Sequence, residues 1–217
     1  MTARLDAATV DLLGVLAYGE LTAFERLAAD ARLAPTISDK HALASMAAAE
    51  FEHYRRLVGH LRQEGVDPEQ AMAPFVAPLD SFHDSTPPND WLESIVKAYL
   101  GDGLATDFYR EVAAFLQDEP TRALILEVLA DTGQASFAVA TVTSAIAADP
   151  TVGGRLALWG RRLVGEALIQ AQRVAVERDA LTELLVGGSL DLAGIGRLLN
   201  RLTDNHTARM QAIGLQA

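Results

Sequence analysis

Glu50 and His53 stand three residues apart in Glu50-Phe51-Glu52-His53, and Glu20 precedes Glu50 by thirty residues. Residues i and i+3 project from one face of a helix, so Glu50 and His53 can reach the same point in a helical core. A carboxylate on one helix and a Glu-x-x-His on the next make half of the ligand set of a di-metal four-helix bundle. The chain then repeats the arrangement in altered form. Asp102 lies twenty-nine residues before Asp131, and Asp131-Thr132-Gly133-Gln134 fills the slot of a second Glu-x-x-His.

The chemistry of such a cluster is set by charge. Four carboxylates converging in an apolar core are prohibitively costly unless protonated or neutralised. Two divalent cations supply the four positive charges required, and a carboxylate–imidazole donor set suits iron, manganese or zinc. In this scheme Glu20 and Asp102 are terminal ligands, Glu50 and Asp131 form the bridging pair, and His53 gives a terminal nitrogen. Open positions facing a cavity then admit dioxygen between two ferrous ions. Gln134 offers an amide oxygen, a far poorer ligand than imidazole. Asp102 and Asp131 are each one methylene shorter than Glu, roughly 1.5 Å less reach. The second metal is then loosely held or absent.

Other readings of the same residues stand beside this one. Glu20, Glu50 and His53 can satisfy one another as buried polar groups, and Gln134 can hydrogen-bond a buried carboxylate. Asp107 is a rival ligand on the third helix, although its spacing of 24 to Asp131 breaks the repeat. Tyr18 and Tyr54 either approach the centre or belong to the core. His41, His60, His83 and His206 read as surface residues, and Glu166 as an ion-pairing one.

The elements that must position these side chains are helices. Apolar residues from Val10 to Ala28 recur at three- and four-residue steps, which predicts a helix from Asp6 to about Arg32 with Pro35 beyond its exit. A second helix, capped by Ser38 or Asp39, runs to about Glu64 and ends at Gly65. Five of the eight prolines fall between Gly65 and Trp91, so that stretch reads as one long crossover. A third helix spans about Trp91 to Gln117. A fourth is opened by Pro120 and runs to about Ala148. Helical patterns continue over Val152–Glu183 and Leu190–Ile213, split at Gly187-Gly188-Ser189. The expected fold is all-α: one domain over 1–217, with a ferritin-like four-helix bundle at about 6–149, one long crossover, and accessory helices at about 151–215. These last pack on the bundle or make a homodimer contact.

Composition narrows the function. Half of the 217 residues are hydrophobic, only 6% are aromatic, and none is cysteine, which excludes disulfides, thiolate metal sites and cysteine nucleophiles. The net charge of −11 opposes broad nucleic-acid binding. The basic pairs Arg55-Arg56 and Arg161-Arg162, like Arg197 and Arg201, read as solvated faces paired with acids. The N-terminus lacks the order of a signal peptide, and no run of about 18 uninterrupted apolar residues occurs. The expectation is a cytoplasmic protein with no membrane partner.

Tyr18-Gly19-Glu20, Ala49-Glu50-Phe51-Glu52-His53, Gly101-Asp102-Gly103, Asp131-Thr132-Gly133-Gln134 and the Pro-rich crossover together resemble the ferritin-like MiaE-like proteins. These are related to the tRNA hydroxylase that acts on a 2-methylthio-isopentenyl-adenosine base. The resemblance spans roughly residues 10 to 180. It implies a carboxylate-bridged di-iron cofactor and oxygen-dependent hydroxylation of an allylic carbon, with tRNA as the partner, against which the net acidity stands. Gln134, where the family carries His, favours the alternative of a ferritin-like scaffold with a degenerate site that binds or supports a partner. Metal storage is a third reading.

Overall fold

The computed structural model describes residues 5–130, 134–187 and 192–217, with side chains described over 5–130, 135–184 and 196–217. These residues form helices α1 (Ala7–Asp30), α2 (Ile37–Gln63), α3 (Pro68–Ser85), α4 (Trp91–Ala113), α5 (Glu119–Val128), α6 (Gln134–Ala148), α7 (Thr151–Glu177), α8 (Asp179–Gly187) and α9 (Leu192–Ala212). A 3-10 turn at Ala31–Leu33 follows α1, and no strand occurs among the described residues. The all-α expectation is met.

Local chemistry explains the helix ends. Asp6 caps α1 by accepting the Thr9 N–H at 2.7 Å. Thr36, rather than Ser38 or Asp39, caps α2, accepting the Asp39 N–H at 3.1 Å. The chain is already helical at Ile37, so the two expected caps lie inside the first turn. Gly65 closes α2 at φ 74°. There the Val66 N–H reaches the Leu61 carbonyl and the Gly65 N–H that of Arg62, a Schellman closure that needs a left-handed residue.

The Pro-rich crossover departs from expectation: eighteen of its residues form α3. Pro68 sits at the N-terminal end of α3, where a missing N–H costs nothing. Pro74 and Pro78 lie inside the helix and deprive the Gln70 and Pro74 carbonyls of their donors, a cost of about 3 kcal/mol each. Packing offsets it. Ala71, Met72, Phe75 and Pro78 are buried as α3 lies against α1 and α7, and each large apolar side chain fully buried returns about 1.5–3 kcal/mol. The fourth helix differs too. It is interrupted: α5 ends at Val128, Leu129 caps it, and α6 begins at Gln134.

α1 and α2 form the most extensive pairing as a hairpin, and α4 packs on α1, α5 and α6 to complete the bundle. α1 is the one described helix long and apolar enough to cross a membrane by length and composition. Its composition has another cause here, because α2, α3, α4 and α8 all pack against it. A helix enclosed on most sides needs apolar residues on most sides. Asp11 at its N-terminal end is 3% exposed and is held by Arg178 through two hydrogen bonds, one of 2.9 Å from Nε.

The buried apolar residues fall into two clusters. One gathers Leu12–Ala17 of α1, Leu57–Leu61 of α2, and Tyr109–Ala113 of α4 with residues of α3, α5 and α8. The other gathers Leu27, Leu43, Ala47, Ile95, Val96 and Leu100 with residues of α6, α7 and α9. α1, α2 and α4 each run through both.

Gly14 marks the closest helix crossing: a Cβ there would stand 2.2 Å from the Ala71 carbonyl oxygen of α3. A backbone oxygen inside a helix cannot yield as a side chain does. Gly14→Ala should therefore cost about 1–3 kcal/mol or more, lowering the melting temperature by about 2–4 °C per kcal/mol. Gly59, mid-α2 with open space around it, should do the opposite, since Gly59→Ala gains about 1 kcal/mol of helix propensity. Thermal melts of the two variants check both signs.

Candidate metal centre

Between the two apolar clusters lies a polar layer. On α1, Glu20 falls between Ala17 and Leu27; on α2, Glu50 and His53 fall between Ala47 and Leu57; on α4, Asp102 falls between Leu100 and Tyr109. The i, i+3 spacing on α2 turns Glu50 and His53 to the same side, and the antiparallel hairpin sets Glu20 opposite them. His53 Nδ1 is 3.3 Å from Glu20 Oε2 and 3.4 Å from Glu50 Oε2. One donor atom from each of the three side chains lies within 4.8 Å of the other two. Glu20 is 9% exposed and Glu50 5%.

Those distances suit a shared ion. With bonds of about 2.0–2.2 Å, two ligand atoms on one cation stand about 3 to 4.4 Å apart. Nδ1 is the nitrogen that faces both carboxylates and is the one that would coordinate. The electrostatics show what the cluster does without a cation. His53 is pushed up to about 10, because it is hydrogen-bonded to Glu20 and Glu50, whose pull outweighs burial. Burial holds the Glu20 carboxyl well above the usual carboxylate range; His53 pulls it down and Glu50 pushes it further up. Protons thus occupy the place where positive charge is needed.

A cavity of about 180 Å³ opens beside the three residues. Asp102 lines it, but its residue is exposed and its carboxylate is not one of the three converging groups. Tyr99, Gly103, Thr106 and Arg110 line the cavity along the same face of α4, and Ala130 and Ala135 line it from the fourth arm. Asp131 and the side chain of Gln134 lie outside the described residues. Asp107 is not a rival ligand: its Oδ2 accepts from Arg209 Nη2 at 2.8 Å and from Asn205 at 2.9 Å. Its charge is already matched.

Several residues that sequence reasoning passed over belong here. Arg209 of α9 also lines the cavity. It reaches there across Gly103, where a Cβ would stand 2.3 Å from Arg209 Nε. Gly103 beside Asp102 was the available signal. Tyr109 is buried against Gly19, and its phenol is pushed up by burial first and then by Glu20 and Asp102, so it stays protonated.

The tyrosines singled out earlier serve packing. Tyr18 donates to Asp80 of α3 at 2.8 Å, and Tyr54 packs on the first apolar cluster and against Phe51. His60 meets Thr121 Oγ1 at 2.7 Å. His206 is inside, not on the surface, and His83 is half-buried. Burial, then nearby Lys97 and Arg26, lowers His83 to about 3, and His206 is 4% exposed. Glu166 makes no ion pair among the described residues. Arg55, Arg56 and Arg201 pair with Glu52, Glu127 and Glu111, whereas Arg161 and Arg162 hold backbone carbonyls at Gln216 and Ser85.

The family described as a ferritin-like domain of actinomycetes matches residues 3–188, nearly the whole length of the chain. The chain belongs to that ferritin-like family. Its match takes in α1 to α8 and the polar layer, and it leaves out α9, which brings Arg209 to the cavity. No curated protein matches the sequence.

Metal uptake by this ferritin-like site should release protons, because His53 is charged at neutral pH and a ligating imidazole must be neutral. A histidine raised to about 10 makes affinity climb by about tenfold per pH unit below that value. Cobalt or manganese titrations at pH 6 and pH 8 should differ by about a hundredfold or more. Affinity that ignores pH would place the ions elsewhere.

Proposed function

We propose that this ferritin-like protein is a di-iron carboxylate oxygenase, a hydroxylase of the kind its motifs resemble in the MiaE-like tRNA-modifying proteins, with manganese as the alternative metal. The observation that supports it is the convergence of Glu20, Glu50 and His53 in a buried layer beside a cavity. Glu20, Glu50 and His53 would hold the metal, with Glu50 as the bridging carboxylate and His53 as the nitrogen donor. Asp102, at the cavity wall, with Asp131 and Gln134 would supply the second half.

Iron bound there would supply the reduction of dioxygen and the insertion of one oxygen atom into a C–H bond. The chain's own residues prepare the setting. The apolar clusters above and below the layer exclude water, which strengthens every charge interaction inside it. Tyr109 keeps its phenolic proton beside Glu20, a donor held at the edge of the layer. A tRNA substrate must overcome the net charge of −11, so the proposal extends to hydroxylation at an activated C–H and leaves the bearer of that bond open.

A second reading has its own observation. Only three donors converge among the described residues, Asp102 is exposed, and Arg110 and Arg209 line the cavity. These favour a one-metal site, or a scaffold whose second half has decayed.

Metal content separates the readings. Protein supplied with iron and manganese should hold two ions per chain if it is the di-metal enzyme. The ferrous protein, loaded without air, should then consume oxygen, and Glu50→Ala should abolish both uptake and consumption. One ion per chain, raised to two by Gln134→His, would establish the decayed site. No metal in a folded protein would sink the oxygenase reading.

A further inference from the structure

The cavity at the metal centre is lined by charges of both signs. Glu20, Glu50 and Asp102 contribute the negative side, and Arg110 and Arg209 the positive. Neither arginine has Glu20 or Glu50 as its hydrogen-bond partner. Arg209 is anchored through Nη2 to Asp107, outside this cavity's lining, and its Nη1 is buried with no hydrogen-bond partner. Arg110 gives Nη2 to the Leu129 carbonyl at 2.6 Å and has no carboxylate partner among the described residues. Two guanidinium groups placed only to neutralise Glu20 and Glu50 would be paired with them, as His53 is.

A divalent cation held by Glu20, Glu50 and His53 would face the same small space as the two guanidinium groups, so that an anion there meets positive charge from both sides. Guanidinium groups are suited to such ligands, since their planar fork matches the oxygens of a carboxylate or phosphate.

We infer that this cavity holds a small oxyanion group of the substrate, a carboxylate or a phosphate, between the bound metal and Arg110 and Arg209. The inference rests on the metal reading above. At about 180 Å³ the space is smaller than the roughly 300–1,000 Å³ of a pocket for a whole drug-sized molecule, so it takes a group. The rest of the molecule has a path: a trough of about 330 Å³ shares Arg110 and runs between α4 and α9 past Asn205 and Arg201. The anion anchors one end of the substrate, and the arginines thereby set which carbon stands nearest the metal.

The test uses full-length protein and cobalt(II), whose visible absorption reports on its surroundings. Cobalt is titrated first. Acetate and inorganic phosphate are then added in separate arms to the cobalt-loaded form. The inference expects a saturable change of its absorption, and whichever anion gives it names the oxyanion class. Arg110→Gln and Arg209→Gln should each weaken that response at least about tenfold, the loss expected for a charge-assisted hydrogen bond, with cobalt affinity unchanged or tighter. Should one variant fail to fold, the other carries the comparison. No cobalt binding would remove the metal reading and the anion site together. Cobalt binding with no anion response, or with the same response in wild type and both variants, would overturn the anion site alone.

Discussion

Two carboxylates, Glu20 and Glu50, are buried side by side in the middle of the bundle, and most of the structure can be understood as what makes that tolerable. In a dry interior, like charges a few ångströms apart repel strongly, and each has also lost its hydration. His53 is the nearest remedy, set one turn from Glu50 and within hydrogen-bonding distance of both carboxylates. The hairpin geometry of α1 and α2 fixes that triangle. The clusters of apolar side chains on either side hold it rigid, so that the three donors cannot relax apart into water.

The same layer is the place where distant parts of the chain meet. α4 brings Asp102, Thr106 and Arg110 along one face, and α9 contributes Arg209 from the far end of the sequence. Gly103 is what lets this happen. With only a hydrogen on its Cα, it leaves a channel through which the arginine passes over α4. Asp107, itself held by Asn205, pairs with the guanidinium once it has arrived. Arg209 is thus brought to the cavity by tertiary packing, whereas Glu50, His53, Asp102 and Arg110 are set there by spacing along their own helices.

That difference explains what could be read in advance. Glu50 and His53 were legible because one helical turn is a local fact, and Glu20 because a thirty-residue offset is a hairpin. The helical class followed from periodicity. α3 was not legible. Pro74 and Pro78 argue against a helix by a local rule, and the offsetting burial of Met72 and Phe75 depends on α1 and α7, which lie far off in sequence. His83 and His206 were misplaced for the same reason, since nothing in their neighbours foretells what packs over them. The break between α5 and α6 was hidden because Asp131-Thr132-Gly133-Gln134 was read as a ligand turn inside one continuous helix. Arg209 was passed over because its partner across the fold is a glycine, which shows its importance only when its neighbours are known.

The division of the interior has a consequence for cooperativity. α3, α5 and α8 lend buried apolar side chains to one cluster alone, and α6, α7 and α9 to the other. α1, α2 and α4 lend fully buried side chains to both, and where they cross from one to the other they carry the charged layer. The interior is therefore two apolar clusters on three shared rods, with α3 against α7 as a further bridge and a charged seam between them. A cation at the seam would act as a rivet between them, so that amide exchange in the short helices of one half would come to depend on an ion that none of them touches.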